Sequence, residues 1–197
     1  MKPIDFITAA RVPDSLTPQV FGPWTIERRR ISPAIARFDV YTLLFRTSLA
    51  TLHLEGPGEV VMEDSRFELQ QHLPIWLHAK GRVLVTGLGL GCVVRGLLAS
   101  PDVEDITVVE IDRSILRVVG HEFESNRRVR LVHGDAFRVQ LPGRFDFAWH
   151  DLWTDGEAHL QTLHAALLVR YCAQCRWQGA WQLPRWFKRR APSWVLR

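Results

Sequence analysis

A glycine-rich run in the middle of the chain has the spacing of a nucleotide-binding loop. Residues 83–86 form a short apolar stretch that leads directly into residues 87–91, GLGLG, and then into an apolar, helix-like segment. Glycines allow a tight turn and let the backbone approach a ligand closely, while the start of the next helix presents unpaired N–H groups. The spacing therefore predicts that Gly87, Gly89 and Gly91 line a nucleotide site.

Carboxylates stand where the next three apolar stretches end. Glu110 lies roughly 20 residues past the loop, where a carboxylate can accept both hydroxyls of a ribose. Asp135 and Asp151 follow the third and fourth stretches. Ligands of an open parallel sheet bind outside the carboxyl ends of its strands, so we expect these residues to meet. The alternatives are a solvated acid for Glu110 and a helix cap for Asp151, and Asp112 fits the N-cap of the next helix.

The elements that must position these residues alternate along the chain. Strand-like and helix-like segments follow one another, with helices predicted at 92–99, 113–123 and 157–176, and strands at 82–86, 106–110, 129–133 and 145–150. This alternation predicts an α/β fold, a Rossmann-like open and mostly parallel sheet with helices on both faces.

The part before the sheet has a different pattern. Residues 1–38 contain several prolines and no sustained period, which predicts an irregular arm that includes one short strand. Residues 40–62 predict a small antiparallel β unit with a turn at 55–58. Residues 65–78 have roughly helical spacing, and Pro74 should kink or end that helix. We expect two parts, 1–79 as the arm with its β unit and 80–197 as the nucleotide-binding domain.

These motifs together resemble the Rossmann-like S-adenosylmethionine-dependent methyltransferases, and among them most closely the spermidine-synthase-like branch. The resemblance spans roughly residues 58–155, and the small β unit is similar to the one that precedes the catalytic domain of polyamine synthases. It is carried by 72–74 (HLP), 83–91 (VLVTGLGLG), 109–112 (VEID), 133–137 (HGDAF), 145–146 (FD) and Asp151.

The resemblance implies a role for each matching residue, with S-adenosylmethionine or its decarboxylated form as the cofactor. The glycine loop packs on the amino-acid part of the cofactor, and Glu110 holds the ribose with Ile111 beside it. Asp135 bonds the exocyclic amine of adenine, and the backbone N–H of Ala136 meets the ring. Asp151 contacts the cofactor and helps to deprotonate an attacking amine.

The chain also departs from the pattern. Thr86 stands where methyltransferases often have an acid, and Leu90 stands where polyamine synthases usually have Asp. Asp151 and Asp155 are four residues apart, whereas polyamine synthases space these acids three apart. Little sequence follows the region of the fifth strand, so we expect the C-terminal strands to be truncated.

Three functions remain open. The first is an S-adenosylmethionine-dependent transferase, methyltransferase-like, acting on a small molecule such as an amine. The second is aminopropyl transfer from decarboxylated S-adenosylmethionine. The third is a catalytically degenerate module that binds a nucleotide, or binds nucleic acid through the Arg- and Trp-rich tail 176–197, although tryptophans there are more typical of packing anchors. A dehydrogenase is disfavoured, because the third glycine of G-x-G-x-x-G would fall at Cys92.

Composition sets the remaining bounds. With 197 residues, 47% apolar and 23% charged, the chain predicts one main globular domain, and tryptophan-rich ends suggest a homodimer. Three cysteines argue against a disulfide framework, and we expect Cys172-x-x-Cys175 to be small apolar side chains in a helix rather than a metal site. No secretory signal or membrane span is visible, so a soluble, cytoplasmic protein is expected.

Overall fold

The computed structural model describes residues 1–29, 41–46, 59–152 and 157–181. Its first part builds a four-stranded antiparallel sheet in sequential order, from β1 (Gln19–Phe21), β2 (Trp24–Arg29), β3 (Tyr41–Arg46) and β4 (Glu59–Glu63). The pairing of β3 with β4 confirms the antiparallel unit, and β1 and β2 extend it toward the N-terminus. The predicted turn at 55–58 lies outside the described residues.

Three short helices accompany this sheet: α1 (Pro3–Ala10), α2 (Arg66–Gln70) and α3 (Leu73–His78). The predicted irregular arm is wrong over the described residues 1–29, which form α1, β1 and β2. Pro3 opens α1 at a helix position where a missing N–H costs nothing. The helical segment near Pro74 is confirmed and divided in two. Ser65 caps α2, and Pro74 occupies the first turn of α3.

The larger sheet has five parallel strands, and its spatial order is β7-β6-β5-β8-β9. Their bounds are β5 (Gly81–Thr86), β6 (Val103–Glu110), β7 (Val129–His133), β8 (Phe145–His150) and β9 (Cys175–Ala180). The chain order reverses between β5 and β8, which makes the crevice above their carboxyl ends the expected ligand site of such a sheet. The predicted Rossmann-like architecture is confirmed.

Helices cover both faces of this sheet: α4 (Cys92–Ala99), α5 (Arg113–Val118), a 3₁₀ turn (Gly120–Phe123) and α6 (Glu157–Arg170). Alternate residues of β5 point to opposite sides. Val83 and Val85 pack in the cluster that contains α4, while Leu84 packs with Leu167 and Tyr171 around α6. The side-chain alternation of a strand thus gives the sheet two apolar faces.

Two helix boundaries differ from the prediction. The helix expected over 113–123 changes to a 3₁₀ turn at Gly120, and the helix expected over 157–176 ends at Arg170. Cys175 therefore begins β9, where backbone pairing with β8 overrides the local helical spacing. All three cysteines are free thiols, with Cys172 exposed and Cys175 buried.

The two sheets share one hydrophobic core. Trp76 of α3 is buried, stacks on Phe6 of α1 at 6.5 Å between ring centroids, and donates its indole N–H to the carbonyl of Val93 in α4 at 3.1 Å. Within the described ranges, no helix is long and apolar enough to cross a membrane.

Candidate functional site

The glycine loop runs directly beside the end of β8. Gly87, Gly89 and Gly91 all have φ between +51° and +91°, in the region that side chains disfavour. A Cβ on Gly87 would lie 1.9 Å from the carbonyl oxygen of Asp151. The close approach of these two backbone segments therefore requires glycine at this position.

Glu110 binds the loop to the end of β6. One carboxylate oxygen accepts the backbone N–H of Leu88 at 2.8 Å, and the other accepts the N–H of Asp112 at 2.8 Å. Glu110 is buried, and this burial raises the pKa of its carboxyl above the usual range. The side chain thus holds the loop while its remaining lone pairs stay available to a ligand.

Asp112 links this region to the antiparallel sheet. One carboxylate oxygen accepts the N–H groups of Ser114 and Ile115, which confirms the predicted N-cap of α5. The other oxygen accepts the indole N–H of Trp24 at 2.8 Å. A residue of β2 is therefore fixed above the carboxyl end of β6.

Asp151 follows β8 and sits deep in the crevice. Its backbone N–H donates to the carbonyl of Thr86 at 2.8 Å, and its side chain is 14% exposed. Burial, together with the nearby charge of Glu110, raises the pKa of Asp151 to about 7. The imidazole Nε2 of His72 lies 3.9 Å from its carboxylate.

A third carboxyl, that of Glu68 in α2, shares this environment. Burial raises its pKa to about 8, and the charges of Asp151 and Glu63 act in the same direction. A carboxyl that ionises near neutral pH can take up or release a proton there. Glu68 and Asp151 therefore form a pair of acids with unusually high pKa values.

These side chains surround one cavity of about 200 Å³ between the two sheets. Five of the predicted site residues line it: Gly87, Gly89, Glu110, Ile111 and Asp151. Its other walls come from the antiparallel sheet, α2, α5 with its N-cap, and the residues that follow β8 and β9. They are formed by Trp24, Leu44, Arg46, Val61, Met62, Glu68, Asp112, Ile115, Leu152 and Trp181.

Three predicted residues lie outside that lining. Gly91 caps α4 instead. The carboxylate of Asp135 accepts the N–H of Phe137 at 2.8 Å and pairs with Arg138 at 3.3 Å. The carbonyl of Ala136 accepts the hydroxyl of Tyr171 at 2.7 Å. The loop after β7 is thus held by its own turn and by the residue that follows α6.

The two positions where an acid was expected are filled by buried residues. The Thr86 hydroxyl and His150 Nδ1 are 3.0 Å apart, and His150 Nε2 lies 3.0 Å from the amide oxygen of Gln178. Leu90 is fully buried in the core. Neither Thr86 nor Leu90 lines the cavity: the Thr86 side chain pairs with His150, and Leu90 packs in the core.

Part of the predicted nucleic-acid tail is described. Trp177 stacks on Trp149 at 6.5 Å between centroids, as a packing anchor does, and Trp181 lines the cavity. Residues 182–197, and with them the expected truncation of later strands, lie outside the described residues. Asp155 lies outside them as well.

Glu68 and His72 are contributions to the site that the sequence did not assign. The sequence places His72 in the HLP motif that precedes the sheet and predicts no role for it in the site. One sequence feature could have indicated them: an acid and a histidine stand four residues apart in a segment that ends just before β5. No cluster of three or more His, Cys, Asp or Glu side chains that could hold a metal occurs in the part of the chain that the structure describes.

The chain is similar in sequence to part of a known protein. The chain is 35% identical over 89 residues to a spermidine synthase from Dictyostelium discoideum; the match covers 40% of this chain and 31% of that protein, so the chain spans under a third of its relative's length. No family profile matches the chain.

Solved structures are also similar to parts of the chain, at low identity. An SAH-bound methyltransferase from Podospora anserina is 18% identical, with 56% of this chain and 47% of that chain covered at a TM-score of 0.42. An N-methyltransferase from Bradyrhizobium japonicum is 14% identical, with 53% and 60% covered at a TM-score of 0.42. An S-adenosylmethionine-dependent methyltransferase from Clostridium acetobutylicum is 17% identical, with 51% of this chain and 40% of that chain covered at a TM-score of 0.36. The five-stranded parallel sheet is itself what confirms the predicted fold class.

Proposed function

We propose that the chain is an S-adenosylmethionine-dependent transferase of the methyltransferase type whose acceptor is an amine. One observation carries this proposal. The same cavity is lined by two glycines of the loop, Gly87 and Gly89, by Glu110, which is placed to bind a ribose, and by Asp151. The cavity would therefore bind a nucleoside at the ends of the strands and hold beside it, in Asp151, a carboxylate that can accept a proton.

The residues at the cavity fit a ribonucleoside. A carboxylate has about four lone-pair positions, and Glu110 uses two of them for the N–H groups of Leu88 and Asp112. The remaining positions suit two ribose hydroxyls. Ile111 is exposed and offers apolar surface beside them. We retain Asp135 and Ala136 as proposed adenine contacts, although the Asp135 side chain must then leave Phe137 and Arg138.

The acids at the cavity suit an amine acceptor. When bound, S-adenosylmethionine would supply a sulfonium-activated methyl group. Asp151 would orient the attacking amine and take its proton, which a carboxylate with a pKa of about 7 can do near neutral pH. Glu68 adds a second carboxyl to the same cavity; with a pKa of about 8 it is neutral near pH 7 and can accept a hydrogen bond from the amine.

A second candidate, aminopropyl transfer, is favoured by the charge of the cavity lining. Glu68, Glu110 and Asp151 face one cationic residue, Arg46, whose guanidinium lies 5.8 Å from the ring centroid of Trp24. Decarboxylated S-adenosylmethionine keeps the sulfonium and the amine but lacks the carboxylate that these acids would repel in their ionised forms, which burial shifts to higher pH. The Dictyostelium match to a spermidine synthase supports the same candidate.

Calorimetric titration tests both candidates. The protein is titrated with S-adenosylmethionine, decarboxylated S-adenosylmethionine, methylthioadenosine and NAD. We expect binding of one sulfonium cofactor and none of NAD. After incubation with a mixture of mono- and diamines, the nucleoside product separates the reactions: S-adenosylhomocysteine indicates methyl transfer, and methylthioadenosine indicates aminopropyl transfer. Heat from neither sulfonium compound would exclude both.

A further inference from the structure

His72 is a buried imidazole with one nitrogen committed to a neighbour. It lies between α2 and α3 and is fully buried between two indoles, with ring centroids 5.5 Å from Trp76 and 5.9 Å from Trp149. The indole N–H of Trp149 donates to His72 Nδ1 at 3.2 Å. Because an indole nitrogen can only donate, Nδ1 must be unprotonated, and the proton of the neutral ring sits on Nε2.

That second nitrogen has no hydrogen-bond partner among the described residues, although it is buried. It lies 3.9 Å from the Asp151 carboxylate, which is beyond hydrogen-bond length. A buried N–H without a partner costs free energy, so a nearby acceptor gains by moving toward it. Burial lowers the pKa of His72 to about 3, so the ring stays neutral and can act as a donor without a charge.

Arg46 of β3 lines the same cavity as Asp151, and the groups whose charges are coupled to Asp151 are acids. Glu110 from β6 and Glu68 from α2 are coupled to it through their charges, and the Cys92 thiol at the start of α4 is influenced by Asp151 as well. The charge of Glu110 raises the pKa of Asp151, and the charge of Asp151 raises the pKa values of Glu68 and Cys92. His72 is a neighbour whose polarity favours the ionised form of Asp151.

We propose that His72 is a positioning residue for Asp151, its tautomer locked by Trp149 so that Nε2–H meets the carboxylate when Asp151 ionises. This pairing gives His72 a role in the proposed proton acceptance at Asp151, and to that extent it rests on the proposed function. The pairing itself requires only the two side chains. It would hold the ionised carboxylate in one orientation toward the cavity.

The tautomer can be checked in the unaltered protein. Long-range ¹H–¹⁵N correlation of the histidine rings should show His72 neutral, with Nε2 protonated and Nδ1 unprotonated, between pH 6 and 8. A ring that is protonated at Nδ1 would overturn the proposal. This measurement does not depend on the stability of any variant.

The pairing is tested by titrating Asp151 in protein labelled with ¹³C at the aspartate carboxyl, with Asp151→Asn to assign its signal. His72→Phe removes the donor and should raise the Asp151 midpoint by about one pH unit or more, a tenfold change in proton affinity. His72→Gln keeps an N–H donor and should restore the midpoint to near its original value. An unchanged midpoint in a folded His72→Phe protein would overturn the proposal.

Calorimetry with S-adenosylmethionine on the same samples separates this inference from the proposed function. If the unaltered protein binds no cofactor but the Asp151 midpoint shifts, the proposed function fails and the positioning role stands. If the cofactor binds but the midpoint does not move, the positioning role fails alone.

Discussion

The Glu110 carboxylate accepts the backbone N–H of Leu88, inside the glycine loop, at 2.8 Å. Its second oxygen accepts the N–H of Asp112, whose own side chain caps α5 and bonds Trp24. One buried carboxylate therefore connects the loop, the end of β6 and, through Asp112, the antiparallel sheet. A ligand bound by Glu110 would meet a surface whose parts are already fixed relative to one another, which reduces the entropic cost of binding.

Replacing Glu110 with Ala should weaken nucleoside binding by at least about 100-fold, because hydrogen bonds to a charged group contribute roughly 1.5–3 kcal/mol each. Calorimetry with methylthioadenosine and S-adenosylmethionine measures the loss. Glu104→Ala, at the exposed opposite end of the same strand, is the matched control and should bind normally. Equal affinity of the Glu110 and Glu104 variants would show that Glu110 does not hold the ribose.

Gly87→Ala should destabilise the fold by about 2 kcal/mol or more, because it combines a left-handed φ with a backbone clash. The Cβ would meet the Asp151 carbonyl, which cannot move without disturbing β8. Gly134→Ala is the control, since its φ lies outside the left-handed region and its nearest contact would be Val139 at 3.4 Å. Urea unfolding of both variants gives the difference, and similar midpoints would contradict the expected strain.

The segments with regular hydrophobic periodicity, and those bounded by glycine or proline, could be predicted from the sequence. The strand that ends in glycines, the helix over 92–99 and the acids at the next strand ends follow from local pattern, and four of the five parallel strands were placed within a few residues. The predictions that were wrong concern segments whose structure depends on contacts between residues far apart in the sequence. β9 forms because β8 offers it a parallel partner, and Gly179 fits it beneath Trp149, where a Cβ would lie 2.7 Å from the ring.

The site was only partly predictable for the same reason. Gly87, Glu110 and Asp151 could be placed by the rule that strand ends converge. Glu68 and His72 come from a segment before the sheet, and their meeting with Asp151 depends on how α3 packs against α4 and β8 and how α2 packs on α1. No spacing rule relates a residue before β5 to one after β8, so this contact required the three-dimensional structure.

Asp151→Asn should lower turnover by about 10²–10⁴-fold while leaving cofactor affinity within about tenfold, as expected when a general base is lost. In the unaltered protein, the rate should rise with pH through about 7, where the Asp151 carboxyl ionises. The measurement is product formation against pH with whichever amine is accepted.

Asp146→Asn provides the control for that experiment. Asp146 lies at the opposite end of β8, where its carboxylate accepts the N–H of Arg82 at 3.0 Å. Its turnover should remain close to that of the unaltered protein. If both variants lost activity equally, Asp151 would have no special part in proton transfer.

Arg95→Lys should cost about 2 kcal/mol of stability, although it keeps the charge. The buried guanidinium donates to the carbonyls of Ala10 and Leu90 and pairs with Glu122 at 2.8 Å. A lysine ammonium cannot span three acceptors in this geometry, so buried carbonyls lose their donor. Arg117→Lys, on the exposed face of α5, should be neutral. Equal unfolding midpoints would show that the planar group is not required.

Glu68→Gln should stabilise the protein at alkaline pH and leave it unchanged in acid. The folded-state pKa of Glu68 is about 8, above its ordinary value of 4.5, so the folded protein binds this proton more tightly than the unfolded chain does. The stability that comes from this proton is present below pH 4.5 and is lost as the pH rises toward 8. Glutamine is neutral throughout and avoids that loss.

At pH 9, the Glu68→Gln protein should therefore gain about 1 kcal/mol or more, which corresponds to a rise in Tm of roughly 2–4 °C for a chain of this length. At pH 4, its Tm should equal that of the unaltered protein, since both side chains are then neutral. Glu104→Gln, on the exposed part of β6, controls for the change in net charge. A gain that is the same at both pH values would mean that Glu68 is not held in its neutral form by burial beside Asp151.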